Sequence, residues 1–368
     1  MSFDIKSLRS DERTVYELRD LYRRYGYCRF KMSKFEEYDL YIRNKDFLVS
    51  DRMITFTDAG GRLLALKPDV TISILKNTKK SDGGLRKVYY NETVYRTSKG
   101  DASFREIMQT GLECIGELDA YHIFEVISLA VKSLQTISGD YVLDLSHMGL
   151  VSGLMDTAGV PEEGYGKVLH AVREKNAAEL ERVCGELKLS AASAALLGKL
   201  ISVYGRLEEV LPALAPYCYG EKTRTAWEEL NRLSGLLKEN GLGEQVQIDF
   251  SVVNDMSYYT GIVFQGFIKG LSAGVLSGGQ YDKLAQRMGD LPGAIGFAIY
   301  LDELERLNPR QEGYDTDILL LYDAGTDLPV LAQTVAGLAA EGQRVMARRR
   351  IPETLRYREL VDLRKKEA

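Results

Sequence analysis

A block of helical periodicity from about residue 150 to residue 241 interrupts a chain that reads as β-strands on both sides of it. Leu169, Val172, Leu180 and Val183 mark one helix of the block, and Ser190 caps a second that runs to Gly205. A third carries Ala226, Leu230, Leu233 and Leu237 and ends at Asn240-Gly241. Before the block, from Lys31 to about Gly116, short apolar runs are separated by turn signals such as Asp58-Ala59-Gly60-Gly61 and Asp82-Gly83-Gly84. That is the pattern of antiparallel strands and hairpins. After it, Val246, Ile248, Phe250 and Val252 alternate, and strands are expected at 258–269, 271–278 and 293–301. The block therefore reads as an all-helical insertion into one β domain.

Two more helices flank the first β stretch. One covers 11–25 through Val15, Leu18, Tyr22 and Tyr25; the other covers 119–137 through Ile123, Val126, Ile127, Ala130, Val131 and Leu134, and stops at Gly139. Beyond Asn308-Pro309-Arg310 a small α/β tail follows, with a strand at Ile318–Leu321, a helix at 327–341 and a second strand at 343–346. The expected class is α+β: an antiparallel sheet flanked by helices over 1–308, the insertion at about 150–241, and a small C-terminal α/β unit at 313–368.

Composition removes several functional classes. Hydrophobic residues make up 45% and charged residues 27% of the 368, which fits a globular chain and not a disordered one. No apolar stretch reaches the length of a membrane helix, and Met1-Ser2-Phe3-Asp4-Ile5-Lys6 lacks the apolar run of a signal peptide, so a cytoplasmic location is expected. The four cysteines (Cys28, Cys114, Cys184, Cys218) lie far apart and the three histidines (His122, His147, His170) are isolated, so neither a metal nor a disulfide framework is expected. A net charge of −5 offers no bulk attraction for nucleic acid, and the basic runs 76–87 and 344–350 read as solvated faces.

Three segments carry more chemistry. They are Leu66-Lys67-Pro68-Asp69-Val70-Thr71; Tyr95-Arg96 with Phe104-Arg105-Glu106-Ile107-Met108-Gln109-Thr110-Gly111-Leu112-Glu113; and Tyr258-Tyr259-Thr260-Gly261-Ile262-Val263-Phe264 with Gly278-Gly279-Gln280-Tyr281-Asp282 and Gly296-Phe297-Ala298. On a strand, Gln109, Gly111 and Glu113 share one face over ~13 Å. Two hydrogen-bonding side chains around a glycine make a pocket wall, since the glycine leaves room. An edge strand with its polar face in water is the other reading of the same pattern.

Together, in this order and around an insertion, the segments resemble class II histidyl-tRNA synthetases over about residues 10–308. The resemblance implies a histidine site. Gln109 and Glu113 would hold the amino acid, with the carboxylate facing the imidazole. Asp69, one methylene shorter than the usual glutamate, and Thr71 would hold the α-amino group, and Tyr258 with Tyr259 would close the pocket.

The nucleotide half of the resemblance is damaged. Amino-acid activation builds charge on the α-phosphate of ATP and needs fixed cations around it. Arg96 survives at the motif 2 position, but Ser98 replaces its acidic companion. Asn254 falls where a catalytic arginine belongs, and Ser257 where an aspartate does. The motif 3 end reads Tyr300-Leu301-Asp302-Glu303, which puts a tyrosine at a glycine position and a glutamate at the adenine-side arginine. Gln280 and Ser33 depart from an arginine and a proline. One lost donor of this kind lowers a rate by ~10² to 10³, so these losses together predict a protein that binds without activating.

A binding protein of this length, with a shortened tail, resembles the regulatory-subunit family of short-form ATP phosphoribosyltransferase. That resemblance implies a non-catalytic chain without a cofactor. It implies as partners the short catalytic subunit, a second copy through the core, and L-histidine as feedback effector. Specific tRNA recognition is not expected. A divergent histidyl-tRNA synthetase or amino-acid-activating ligase, and a synthetase-like interaction module, are the competing readings.

Overall fold

The structure is a computed structural model that describes residues 10–48, 53–78, 84–97, 103–253, 258–304, 306–307 and 314–364. The chain divides into two units, 1–307 and 308–368. In the first, α1 (Ser10–Arg24) turns Leu18 and Tyr22, four residues apart, into the core. β1 (Cys28–Arg29) follows, and then a small antiparallel sheet of β2 (Phe35–Glu37), β3 (Thr55–Thr57) and β4 (Leu63–Leu66), with β4 in its centre. Two short helices, α2 (Tyr38–Ile42) and α3 (Thr71–Lys76), stand where the sequence pattern suggests only strands. α3 is sunk in the core through Ile72, Ile74 and Leu75, so burial outweighs the preference of its β-branched residues for strands.

The long hairpin β5 (Leu85–Thr97) and β6 (Phe104–Gly116) pairs along its full length. Next come α4 (Ala120–Ile137), started by a capping box between Asp119 and His122, and β7 (Tyr141–His147). The helical block holds α5 (Met148–Thr157), α6 (Tyr165–Arg173), α7 (Ala177–Glu186), α8 (Ala191–Ser202), α9 (Leu207–Leu214) and α10 (Glu221–Glu239). It is not helical throughout: β8 (Gly205–Arg206) pairs with β9 (Val246–Ile248) at the edge of the main sheet. The alternation expected to run on through Val252 ends at Ile248, and Phe250–Val252 form a 3₁₀ turn. β10 (Ile262–Ile268), β11 (Leu276–Gln280), α11 (Asp282–Gly289), β12 (Ala294–Tyr300) and α12 (Leu301–Leu304) complete the unit.

The main sheet has the order β1-β5-β6-β12-β11-β10-β7-β9-β8 and is antiparallel except at β1/β5 and β7/β9. Leu150, Leu154, Val172, Leu230 and Leu233 of the helical block belong to the same apolar core as Leu143, Leu145, Ile248 and Phe264 of the sheet. The helices and the sheet therefore share one desolvated interior.

The second unit is a parallel sheet of β13 (Thr316–Leu321), β14 (Val345–Arg348) and β15 (Tyr357–Asp362) with α13 (Leu328–Ala340), in the strand order β14-β13-β15. Ile318–Leu321 are buried at its centre. β15 has no counterpart among the expected strands, because its Tyr-Arg-Glu-Leu-Val-Asp run lacks a clear apolar alternation. No helix among the described residues is long and apolar enough to cross a membrane.

Candidate functional site

β6 lies inside the main sheet between β5 and β12, which removes the edge-strand reading of its polar face. Register brings Gln109 opposite Tyr300, Gly111 opposite Ala298 and Glu113 opposite Gly296. Ser277 and Gln265 continue the same row onto β11 and β10. This face floors a cavity of about 470 Å³ whose lining includes Asp69, Thr71, Gln109, Glu113, Tyr258 and Tyr259. All six candidate histidine-binding residues therefore meet in one place.

The room for the carboxylate does not come from the expected glycine. A Cβ on Gly111 would lie 2.1 Å from the Phe297 carbonyl and 2.7 Å from the Tyr90 hydroxyl, so Tyr90 fills that space. A Cβ on Gly296 would lie 1.7 Å from Glu113 Oε2. Gly296, one strand over, makes the seat of the carboxylate.

Glu113 is 2% exposed. Its Oε1 accepts from the Thr71 hydroxyl at 2.9 Å, and its Oε2 accepts from the Tyr281 hydroxyl. Burial pushes its pKa up to about 8, against the lowering by those two donors, and the nearby Asp69 raises it further. At neutral pH the group is mostly a neutral acid whose own proton can be donated into the cavity. Burial also holds the Tyr281 and Tyr90 phenols well above their usual range, so both remain donors.

Asp69 precedes α3, and its Oδ1 accepts from the Ile72 N–H at 2.9 Å. Burial raises its pKa; the Ile72 amide, the Arg96 charge and the Thr71 amide oppose the rise. Tyr258 and Tyr259 pack edge to face with ring centroids 4.6 Å apart, and Tyr258 lies 5.8 Å from the Tyr281 ring. Gln280, which stands in place of an arginine, serves the backbone instead. Its Oε1 accepts from the Ile262 N–H at 2.7 Å at the start of β10.

The nucleotide-side residues are not gathered in the same way. Arg96 lines the cavity, with its Nε donating to the Pro68 carbonyl at 2.9 Å. Tyr300 lines it too, bonded through its hydroxyl to that of Ser277 at 2.8 Å. Glu303 on α12 is not among the lining residues and pairs instead with Arg306 at 2.7 Å. Asn254, Ser257 and Ser98 fall outside the described residues.

Tyr281 and Arg173 are among the lining residues that the sequence does not mark as site residues. Tyr281 stands in the Gly278–Asp282 run, but its bond to Glu113 spans 168 positions and has no local signal. Arg173 ends α6 of the helical block, where nothing in its neighbourhood marks it.

Known proteins share the sequence pattern and the fold. The family described as histidyl-tRNA synthetase matches residues 5–304. The ATP phosphoribosyltransferase regulatory subunit of Caldanaerobacter subterraneus subsp. tengcongensis is 31% identical over 301 residues, 80% of this chain and 78% of the relative. Among solved structures, an ATP phosphoribosyltransferase regulatory subunit/histidyl-tRNA synthetase from Bacillus halodurans shares the fold. Its TM-score is 0.78 at 23% identity, over 97% of this chain and 95% of that one. A chain of an ATP phosphoribosyl transferase complex from Thermotoga maritima shares it with a TM-score of 0.63 at 22% identity, over 79% and 97%.

Proposed function

The chain belongs to the histidyl-tRNA synthetase family and, within it, to the ATP phosphoribosyltransferase regulatory subunits; on that premise we propose that its cavity senses L-histidine. The observation that carries the reading is the buried Glu113, held by Thr71 and Tyr281 in the same cavity as Asp69. A neutral imidazole offers one acceptor nitrogen and one N–H, which a protonated carboxyl and its hydroxyl neighbours can match. Asp69 supplies the charge for an ammonium, Gln109 a further polar contact, and Tyr258 with Tyr259 the aromatic wall.

The chain is a regulatory, non-catalytic member of its family. It assembles with the short-form catalytic subunit, supports that subunit's activity and confers inhibition by histidine. Inhibition requires histidine to favour one arrangement of the complex by a differential free energy, commonly ~1–3 kcal/mol. The chain pairs with a second copy through its 1–308 core, works in the cytoplasm and does not read tRNA; the 313–368 unit is a reduced anticodon-binding-like domain. Arg96, Asn254, Tyr300 and Glu303 are the remains of a nucleotide site, with Tyr300 tied across it to Ser277.

The test is the ATP phosphoribosyltransferase activity of a short-form catalytic subunit, with and without this chain, over a histidine titration. Activity that needs the chain and falls as histidine rises supports the proposal. Activity indifferent to the chain overturns it.

A further inference from the structure

The proposed histidine site, as assigned so far, gives the α-carboxylate end of the amino acid no charged partner. Glu113, Thr71 and Tyr281 suit the imidazole and Asp69 the ammonium, while the α-carboxylate beside them needs a cation once water is excluded. Two arginines line the cavity, Arg96 and Arg173. Arg96 is largely committed, with its Nε on the Pro68 carbonyl and its charge set against Asp69.

Arg173 is differently placed. It ends α6, and among the described residues its guanidinium meets Glu174 at 3.2 Å and the His170 ring at 3.3 Å. The Arg173 and Glu174 side chains are 45% and 54% exposed, and pairs of that kind contribute ~0.2–1 kcal/mol. A carboxylate inside the cavity is a stronger partner for the same planar fork. The helix that delivers it is braced. Val172 is buried, and two residues after Arg173, Lys175 Nζ meets Asp249 Oδ2 at 2.5 Å. Asp249 in turn starts the 3₁₀ turn Phe250–Val252, and Val252 lines the same cavity.

We infer that Arg173 is a ligand-reading residue. It exchanges Glu174 for the α-carboxylate of the bound amino acid and so ties the helical block to the occupancy of the sheet-floored cavity. The inference rests on that cavity being the histidine site. It makes the helical block, and not the sheet alone, a sensor of the ligand, and it makes the free carboxylate a condition of tight binding.

The experiment is calorimetry on the full chain and its Arg173→Ala variant with L-histidine and with L-histidinol, which keeps the imidazole and the ammonium but lacks the carboxylate. The parent should prefer histidine. The variant should lose about tenfold or more for histidine, the size of one charged hydrogen bond, and nothing for histidinol, whose unchanged binding also certifies the fold. An equal loss for both ligands, or no loss for histidine, overturns the role of Arg173 while leaving the histidine site standing. If the parent binds neither ligand, the histidine reading itself fails and the inference falls with it. As a second readout, amide exchange across 165–173 should slow with histidine and not with histidinol; equal slowing would sink the coupling.

Discussion

The two ends of the cavity differ in how their side chains are held. At the proposed amino-acid end, buried Glu113, Thr71 and Tyr281 and half-buried Tyr258 form a set of partners drawn from β6, α3, the β10 approach and the β11 exit. At the end proposed to descend from a nucleotide site, Arg96 lines the cavity near a tyrosine–serine bond, and Glu303 pairs with Arg306. A buried polar network persists only when its members satisfy one another, since a lone buried group loses its full hydration. The proposed amino-acid end is therefore preorganised by its own side chains, whereas among the described residues the proposed nucleotide end shows no comparable set of buried partners.

The hardest blow to that comparison is Glu113→Ala. It removes the acceptor of two buried hydroxyls and the group that faces the ligand, so histidine affinity should fall by about 100-fold or more. Calorimetry checks it; an affinity within a few-fold of the parent would show that the ligand sits elsewhere.

Acidity gives the next effect. The folded-state pKa of Glu113 is about 8 and its ordinary value is 4.5, so between these pH values the folded chain carries a proton that the unfolded chain lacks. Stability from this group is fully present below about pH 4.5 and is lost as pH rises through 8, a change of a few kcal/mol at most. Asp144, raised to about 6 by burial and by Asp249, adds a slope of the same sign. It does so equally in a Glu113→Gln variant. Denaturant titrations from pH 5 to 9 should therefore show Glu113→Gln gaining on the parent as pH rises; parallel curves would contradict a neutral carboxyl.

Gly296→Ala tests the seat of that carboxylate. The added carbon would overlap Glu113 Oε2, and overpacking of this kind typically destabilises by ~1–3 kcal/mol. A thermal melt should drop by several degrees, and histidine should bind more weakly. An unchanged melt would mean that Glu113 has another rotamer open to it.

Periodicity makes α1, α4 and the strands around Phe264 and Phe297 readable in advance, because each repeats its apolar residues over several turns or pleats. Thr71 is harder. Its residues look like a strand, and only burial in the second apolar cluster, with Asp69 accepting at its start, makes a short helix there. The identities of Gln109 and Glu113 are visible on one face of β6, but which glycine makes room for them is not. Cross-strand register, which puts Gly296 beside Glu113 and Tyr90 over Gly111, is decided by pairing between distant segments. Arg173 is invisible for the same reason, since a helix of the inserted block meets the cavity only in three dimensions.

The smallest expected effect concerns the nucleotide end. Tyr300→Phe removes one partly buried hydroxyl pair with Ser277, for a loss of ~0.5–1.5 kcal/mol in stability and no change in histidine affinity. Tyr300→Gly goes further and opens the space. If Tyr300 is what closes the old nucleotide site, that variant should take up ATP weakly where the parent does not, with Arg96 as the cation left to meet a phosphate. On the proposal that Asn254 and Glu303 occupy former cation positions, catalysis should not return. ATP binding equal in parent and variant would show that the tyrosine does not obstruct the site. Pyrophosphate exchange in either protein would show that the two ends of the cavity are less different than their side chains imply.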